Sequence, residues 1–287
     1  MGFVDLHTHS DASDGSFTPA QLVHLAKEAG LCAIALTDHD TTAGIADAVD
    51  AGKELGVEVI PGIEVSGNYE GHEIHILGLF INPDDPELKA FLKDMRSRRN
   101  RRNEEMFRRL AADGISFTDE ELFGSNPQTV ITRAHVARAM VQRGFCSSAN
   151  QAFKKYLEYG GRYCPPKAET EPESIVKILL KNGAFAALAH PFLYKLGDKQ
   201  TKALITRLAE AGMQGLEVYH SSNYPLESRK LQKMAAGLKL LPTGGSDFHG
   251  SCKPDISIGT GRGGLRVSEL LLEDIRRCVC PKSQKET

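Results

Sequence analysis

Short apolar segments that run directly into histidine or aspartate recur along this chain, and helical segments separate them. Residues 32–37 form one such segment, followed at once by Asp38 and His39, and residues 184–189 form another, followed by His190. A continuous apolar run of this length is typical of a strand buried on both faces of a parallel sheet. The alternation of such strands with helices favours a parallel α/β architecture.

Seven strands are expected in total, and most of them are followed by a helix. They lie at residues 3–8, 32–37, 57–65, 72–80, 184–189, 215–219 and 240–245. Nearly every one ends in a side chain that can bind a metal. A closed barrel explains this best, because the carboxyl ends of its parallel strands meet at one mouth.

The alternation is interrupted between residues 83 and 165, where prolines break the chain and several helical segments follow. We therefore predict a barrel made of residues 1–82 and 166–287, with 83–165 as an inserted helical subdomain that caps the active site. Proline and glycine at its margins are compatible with hinging of the insertion.

Six histidines and three carboxylates occupy the predicted strand ends or the turns after them. These candidate ligands are His7, His9, Asp14, His39, Glu64, His75, His190, Asp247 and His249. Imidazoles mixed with carboxylates, without thiolates, suit Mn²⁺, Fe²⁺ or Zn²⁺ better than an all-oxygen Mg²⁺ site. Nine ligands are too many for one ion, so the pattern predicts a site with several metals.

Composition limits the remaining possibilities. The net charge of −2 argues against a protein that binds duplex DNA through electrostatics, although local basic patches are compatible with it. The sequence shows neither a signal peptide nor an apolar run long enough for a membrane span, and we expect a cytoplasmic protein. The six cysteines form no CxxC pair and are expected to be free thiols. Cys278 and Cys280 lie in a polar C-terminal tail, with no predicted role.

The chain resembles the PHP (polymerase and histidinol phosphatase) family. The resemblance rests on Asp5-Leu-His-Thr-His9 with Asp14-Gly15, Thr37-Asp-His39, Glu64 and His75, His190-Pro191, and Gly245-Ser-Asp-Phe-His249. It implies a distorted (β/α)₇ TIM-like barrel with a trinuclear metal site that hydrolyses phosphate esters. It also implies three sets of ligands: His7, His9 and Asp247; His75 and His190; and Asp14, His39 and His249. Glu64 would bridge the first two metals.

Charge arithmetic supports the same reaction class. Three divalent ions, with Mn²⁺ the favoured identity, carry six positive charges, and three carboxylates remove three, which leaves a site near +3 that attracts a phosphate dianion. A hydroxide bridging two metals would be the nucleophile, because coordination lowers the pKa of bound water. No serine or cysteine nucleophile is needed, and the general acid is not identified.

The predicted insertion contains a candidate anion site. Thr132 is a plausible helix cap, which places Arg133 in the first helical turn beside free backbone N–H groups. The stretch Arg133-Ala-His-Val-Ala137 resembles the insertion of the PHP subfamily that includes nucleoside 3',5'-bisphosphate phosphatases with 5'-to-3' exoribonuclease activity. This resemblance implies that Arg133 clamps the substrate phosphate. His135 either contacts substrate or supports the site from behind.

Seven arginines lie between residues 96 and 109. One interpretation is a solvated helix face opposite a buried stripe that includes Leu92, Met106 and Leu110. The alternative is a basic wall beside the pocket that holds a second phosphate or an RNA backbone, with Arg99 and Arg102 as the contributing residues.

Together these features predict a metal-dependent phosphoesterase that removes a terminal phosphate from a nucleoside 3',5'-bisphosphate or a 5'-mononucleotide. Short single-stranded RNA is a further expected substrate, trimmed from its 5' end. Histidinol phosphatase is the nearest alternative, since it shares the barrel and metals. An amidohydrolase is less consistent with the Gly-Ser-Asp-x-His ending, and a non-catalytic module stabilised by metal is the remaining alternative.

Overall fold

The computed structural model describes residues 2–124, 126–166 and 170–279. Its eight strands are β1 (Phe3–Thr8), β2 (Ala33–Leu36), β3 (Glu58–Tyr69), β4 (His72–Leu79), β5 (Phe185–Leu188), β6 (Gly215–His220), β7 (Leu241–Gly245) and β8 (Val267–Ser268). Its helices are α1 (Pro19–Glu28), α2 (Ile45–Leu55), α3 (Pro86–Ala112), α4 (Asp119–Phe123), α5 (Arg133–Gln142), α6 (Ala149–Lys155), α7 (Pro172–Lys181), α8 (Gly197–Glu210), α9 (Pro225–Gly237) and α10 (Glu269–Val279).

The strands form one sheet in the order β7-β6-β5-β4-β3-β2-β1-β8, and this sheet curls into a nearly closed barrel. The segment that follows β7 returns to β1, where the backbone N–H of Asp247 donates to the carbonyl of His7 at 2.9 Å. The N–H of His9 donates in turn to the carbonyl of Phe248 at 3.0 Å. The predicted α/β barrel is therefore confirmed.

Two details of the sheet differ from the all-parallel, seven-stranded prediction. β4 runs antiparallel to both β3 and β5, because only Glu70 and Gly71 connect β3 to β4. Both residues have positive φ (50° and 83°), as a tight hairpin requires, and two residues cannot make the crossover that parallel strands need. The eighth strand, β8, is only two residues long and pairs antiparallel with β1.

Apolar side chains fill both faces of the sheet, as the continuous apolar runs predicted. In β2, Ile34 and Leu36 pack into the layer under the surrounding helices, whereas Ala33 and Ala35 face the barrel interior. The interior cluster also contains Leu272 and Ile275 of α10. Cys278 thus lies in α10 rather than in a polar tail, and Cys280 lies outside the described residues.

Helices α3 to α6 lie between β4 and α7 and have a hydrophobic cluster of their own. Helix α3 contributes to both cores, because Leu88 and Leu92 pack with the barrel while Met106 and Leu110 pack with α5 and the segments around it. The division of the chain into a barrel and an insertion at 83–165 stays a prediction. None of the helices in the described part of the chain is both long and apolar enough to cross a bilayer.

Candidate metal centre

The barrel fold brings all nine predicted ligands together at one mouth. Each follows a strand end or lies inside a strand near that mouth, and every one except the half-buried His75 is buried. Four overlapping groups place one donor atom per residue within 4.8 Å of one another. They are His9, Asp14, His39 and His249; His7, Glu64 and His190; His7, His9 and Asp247; and His39, Glu64 and His75.

The groups resemble the three implied ligand sets with two differences. His7, His9 and Asp247 form a group as implied, and the set built on Asp14 gains His9. The set of His75 and His190 is instead divided between two groups, and both contain Glu64. The assignment of each residue to a particular ion therefore stays a prediction, while the shared position of Glu64 agrees with a bridging role.

Glu64 is the hub of the cluster because its two oxygens face different histidines. Oε1 lies 2.9 Å from His75 Nδ1 and 2.9 Å from His190 Nε2. Oε2 lies 3.1 Å from His39 Nδ1 and 3.3 Å from His9 Nε2. A fully buried carboxylate with imidazoles on both sides has the geometry of a ligand shared between neighbouring ions.

Electrostatics favour the metal-binding form of the carboxylates, whereas the histidines differ. Burial raises the pKa of Glu64, but the imidazoles of His75 and His39 outweigh it and hold that pKa well below its usual range. The pKa of Asp14 is also held well below its usual range, by His39 and His249 against the effect of burial. Burial lowers the pKa of His39 to about 3. At His9 and His75 burial is outweighed by the facing carboxylates, which raise the pKa to about 9, so metal binding would displace a proton from each ring. Ionised carboxylates and neutral imidazoles are the forms that bind metal.

The donor atoms fit metal ions by a second test. Within the described residues, five buried atoms of the cluster have no hydrogen-bond partner: His9 Nδ1, Asp14 Oδ1, His39 Nδ1, Glu64 Oε2 and His190 Nδ1. Unsatisfied buried polar atoms are rare in folded proteins and call for an explanation. Divalent cations would engage donor atoms that the protein leaves unpaired.

Glu217, in β6, is a functional residue that sequence reasoning missed. It is fully buried, its Oε1 lies 2.9 Å from His7 Nδ1, and its Oε2 accepts from the backbone N–H of His190 at 2.7 Å. A carboxylate behind a ligating histidine fixes the ring orientation and the tautomer. The available signal was an acidic residue inside an otherwise apolar strand.

A cavity of about 770 Å³ opens beside the cluster. His190 and Asp247 line its inner side, and Arg133 and Tyr159 line the side formed by the helices between β4 and α7. A smaller space of about 140 Å³ adjoins it and reaches Arg99. The larger volume lies within the range that holds a small organic ligand such as a nucleotide.

Arg133 lies at this cavity in the first turn of α5, as predicted, with Thr132 as the helix cap. Its guanidinium rests 3.6 Å from the centroid of the Tyr159 ring. It donates to Glu73 Oε2 at 2.5 Å and to the carbonyl of Leu157 at 3.1 Å. The fork is thus held in place at the cavity wall, and its contact with substrate stays a prediction.

The arginine run on α3 divides into two faces. Arg98, Arg101 and Arg108 are exposed, which agrees with the interpretation as a solvated face. Arg99 and Arg102 are instead buried, with 8% of each residue accessible. Only Arg99 reaches the small adjoining pocket, whereas Arg102 stacks 5.2 Å from the Tyr159 ring centroid, so the structure does not bring Arg102 to the cavity wall.

His135 is buried and caps the N-terminus of α5. Its Nδ1 accepts from the backbone N–H of Thr132 at 3.0 Å, which closes a capping box at the start of α5. The Thr132 hydroxyl donates to Asp14 Oδ2 at 3.0 Å. Because His135 lines neither of the two cavities beside the cluster, the geometry favours support of Asp14 through Thr132 over contact with substrate.

This contact predicts a pH dependence of stability. Burial lowers the pKa of His135 from 6.5 to about 4. A group with a depressed pKa that must be neutral when folded contributes its full stability above pH 6.5, and loses it as the pH falls toward 4. His135→Gln keeps a capping acceptor but does not titrate. Between pH 7 and pH 5 we therefore expect its free energy of unfolding to fall by on the order of 2 kcal/mol less than that of wild type.

Urea unfolding of chelated wild type and His135→Gln at pH 7, 6 and 5 measures this difference. All other histidines titrate equally in both proteins and cancel. Parallel stability curves over this pH range would contradict the capping role.

A mixed α/β barrel with a buried imidazole and carboxylate cluster at its mouth has the features of a metal-dependent hydrolase. Residues 5–164, more than half of the chain, match the model of the PHP domain. The chain belongs to the PHP family, and it is a hydrolase that acts on phosphoric ester bonds. The prediction of an enzyme is confirmed, and the alternative of a non-catalytic module is not retained.

The names of similar proteins support the same class of enzyme. The chain is 39% identical over 258 residues to 5'-3' exoribonuclease Rnm of Escherichia coli, covering 89% of this chain and 87% of the relative. It is 36% identical to the 3',5'-nucleoside bisphosphate phosphatase of Chromobacterium violaceum, covering 87% and 88%. A solved structure from Bifidobacterium adolescentis, thought to be a metal-dependent phosphoesterase, is 31% identical with a TM-score of 0.83 and covers 96% of each chain.

Proposed function

We propose that this protein removes a terminal phosphate from a small nucleotide, either a nucleoside 3',5'-bisphosphate or a 5'-mononucleotide, and also acts on short RNA from the 5' end. The observation that carries the proposal is the position of Arg133 at the nucleotide-sized cavity that opens from the His and carboxylate cluster. The names of the relatives from Escherichia coli and Chromobacterium violaceum support the same substrate class.

The nine clustered residues would hold three divalent ions, and Mn²⁺ fits a donor set of imidazoles and carboxylates. When bound, such ions supply an activated water as nucleophile and neutralise charge on the phosphoryl oxygens. The protein itself contributes orientation. Glu64 faces histidines on both sides, and Glu217 fixes the ring of His7 through Nδ1, so the ligand atoms are positioned before substrate arrives.

Arg133 would hold the phosphate against the cluster. A guanidinium fork binds two phosphate oxygens at once, which a lysine cannot do. Its fork is pre-oriented by the ring of Tyr159 and the carboxylate of Glu73, so little side-chain entropy is lost when a phosphate binds.

Phosphate release by Mn²⁺-reconstituted protein tests the proposal. The four substrates are adenosine 3',5'-bisphosphate, AMP, histidinol phosphate and a 5'-phosphorylated oligoribonucleotide. We expect preference for the nucleotides, and we expect Arg133→Ala to lower kcat/KM by roughly 10²-fold. Arg133→Lys should recover only part of that loss, because the charge remains but the fork is gone.

Arg143→Ala is the matched control, since Arg143 caps the far end of the same helix and pairs with Glu121 at the surface. Its kcat/KM should stay within about twofold of wild type. Preference for histidinol phosphate would instead identify a histidinol phosphatase. Equal losses in Arg133→Ala and Arg143→Ala would remove the phosphate clamp from the proposal.

A further inference from the structure

A second groove lies beside the predicted metal centre. It has a volume of about 680 Å³ and is bounded by residues 219–232 on one side and 262–266 on the other. His220 lines this groove, and its Nε2 lies 3.4 Å from Asp247 Oδ2, which lines the first cavity. One buried histidine therefore separates the groove from the cluster. A nucleotide held in the first cavity leaves this groove unused.

The groove is positively charged. No aspartate or glutamate lines it, whereas three arginines do. Arg262 is engaged, because it pairs with Asp255 at 2.7 Å and donates to the carbonyl of Ser221 at 3.1 Å. Arg229 and Arg266 are exposed, and neither makes an ion pair with any residue in the described part of the chain. Two arginines without acidic partners in a groove without carboxylates favour an anionic ligand.

An exposed aromatic ring stands at the same groove. Tyr224 immediately precedes α9, and 75% of the residue is accessible, the largest exposure among the large hydrophobic residues that the structure describes. A second ring, Tyr219, is fixed by a hydrogen bond from Gln232 Nε2 to its hydroxyl at 2.6 Å. Aromatic faces combined with basic side chains are the features that bind single-stranded nucleic acid, by base stacking and backbone contacts.

We propose that this groove binds the downstream part of a single-stranded RNA whose 5' end lies in the metal centre. The inference rests on the proposed function, because a phosphoesterase centre one side chain away is what makes RNA the fitting anion. Arg229 and Arg266 contact phosphates, and a base stacks on Tyr224. The groove therefore contributes to the binding of RNA but not of mononucleotides, because only a substrate longer than the first cavity reaches it.

Steady-state kinetics on two substrates test the groove. In Arg229→Gln/Arg266→Gln, and separately in Tyr224→Ala, kcat/KM for a 5'-phosphorylated decaribonucleotide should fall about tenfold or more. The value for adenosine 3',5'-bisphosphate should stay within about twofold. For the double variant, the slope of log binding constant against log salt should become shallower by about 1.4, since two phosphate contacts are lost.

The matched control is Lys199→Gln/Lys202→Gln, which removes two exposed positive charges from α8 outside the groove. It should leave the decaribonucleotide kinetics unchanged. If the groove variants lost kcat/KM equally on both substrates, or lost none on the decaribonucleotide, the proposed RNA-binding role of the groove would be wrong.

Binding measured without turnover separates this inference from the proposed function. If wild type cleaves neither substrate, the proposed function fails, and anisotropy of the labelled decaribonucleotide then tests the groove alone. Weaker RNA binding in the groove variants would still support it. Unchanged binding, or tighter binding of a decaglutamate peptide than of the RNA, would contradict it.

Discussion

Replacing Glu64 by glutamine is expected to lower kcat/KM for phosphate release by roughly 10³-fold or more. The substitution keeps the size of the side chain but removes the negative charge that faces His75 and His190 through one oxygen and His39 and His9 through the other. An amide offers one oxygen instead of two, so a shared ligand position between neighbouring ions is lost. Metal content per chain, measured by plasma emission after reconstitution, should fall together with activity.

Glu58→Gln is the matched control because Glu58 begins the same strand, β3, but is exposed and pairs with Arg276 at 2.6 Å. An exposed ion pair contributes little, so activity and metal content should stay close to wild type. Full metal content with full activity in Glu64→Gln would show that this residue is not a ligand.

The positions of the candidate ligands could be predicted because barrel geometry converts a local pattern into a spatial one. A parallel strand that ends in histidine or aspartate places that side chain at the mouth. The antiparallel β4 is the exception, because His75 lies inside that strand and not at its carboxyl end. His39 after β2 and His190 after β5 are separated by about half of the chain, and yet both lie within one cluster around Glu64. Nothing beyond strand ends and their order was required to bring them together.

Residues that act through tertiary contacts could not be predicted in this way. Glu217 lies in the middle of β6, and its role depends on the His7 ring, which lies across the barrel. The hydrophobic periodicity of β6 does not show which residue lies there. The direction of β4 depends on the tight turn at Glu70 and Gly71. The hydrophobic pattern of the flanking strands is the same whether β4 runs parallel or antiparallel to β3. For Glu217 the missing information was a long-range contact, and for β4 it was the extension of β3 to Tyr69, which leaves only a two-residue turn.

Arg99 is the clearest example of a residue whose tertiary contact the sequence could not predict. The sequence suggested a contact with substrate, and the structure shows a buried ion pair. Its guanidinium pairs with Asp40 and also donates to Ser66 Oγ at 3.1 Å. Asp40 Oδ1 in turn accepts from the backbone N–H of Ser66 at 2.9 Å. The pair joins α3 to the loop after β2 across 59 residues of sequence. Its expected main contribution is therefore to stability and to the position of the adjacent His39.

Breaking this pair should be costly. Asp40→Asn is expected to reduce the free energy of unfolding by about 3–5 kcal/mol, since Arg99 is left charged and buried without its partner. Arg99→Met should also destabilise the protein, while the double variant Asp40→Asn/Arg99→Met should recover much of the loss. Urea unfolding of the four proteins closes the double-mutant cycle.

The surface pair Arg98 and Asp94 supplies the control on the same helix, with the same two residue types four positions apart. Because both side chains are about half exposed, Asp94→Asn and Arg98→Met should each change stability by no more than about 0.5 kcal/mol. If the cycle at Asp40 and Arg99 gave a coupling as small as that, the buried pair would not be a structural element. A fall in kcat/KM for Arg99→Met with unchanged stability would then return Arg99 to the substrate pocket that it borders.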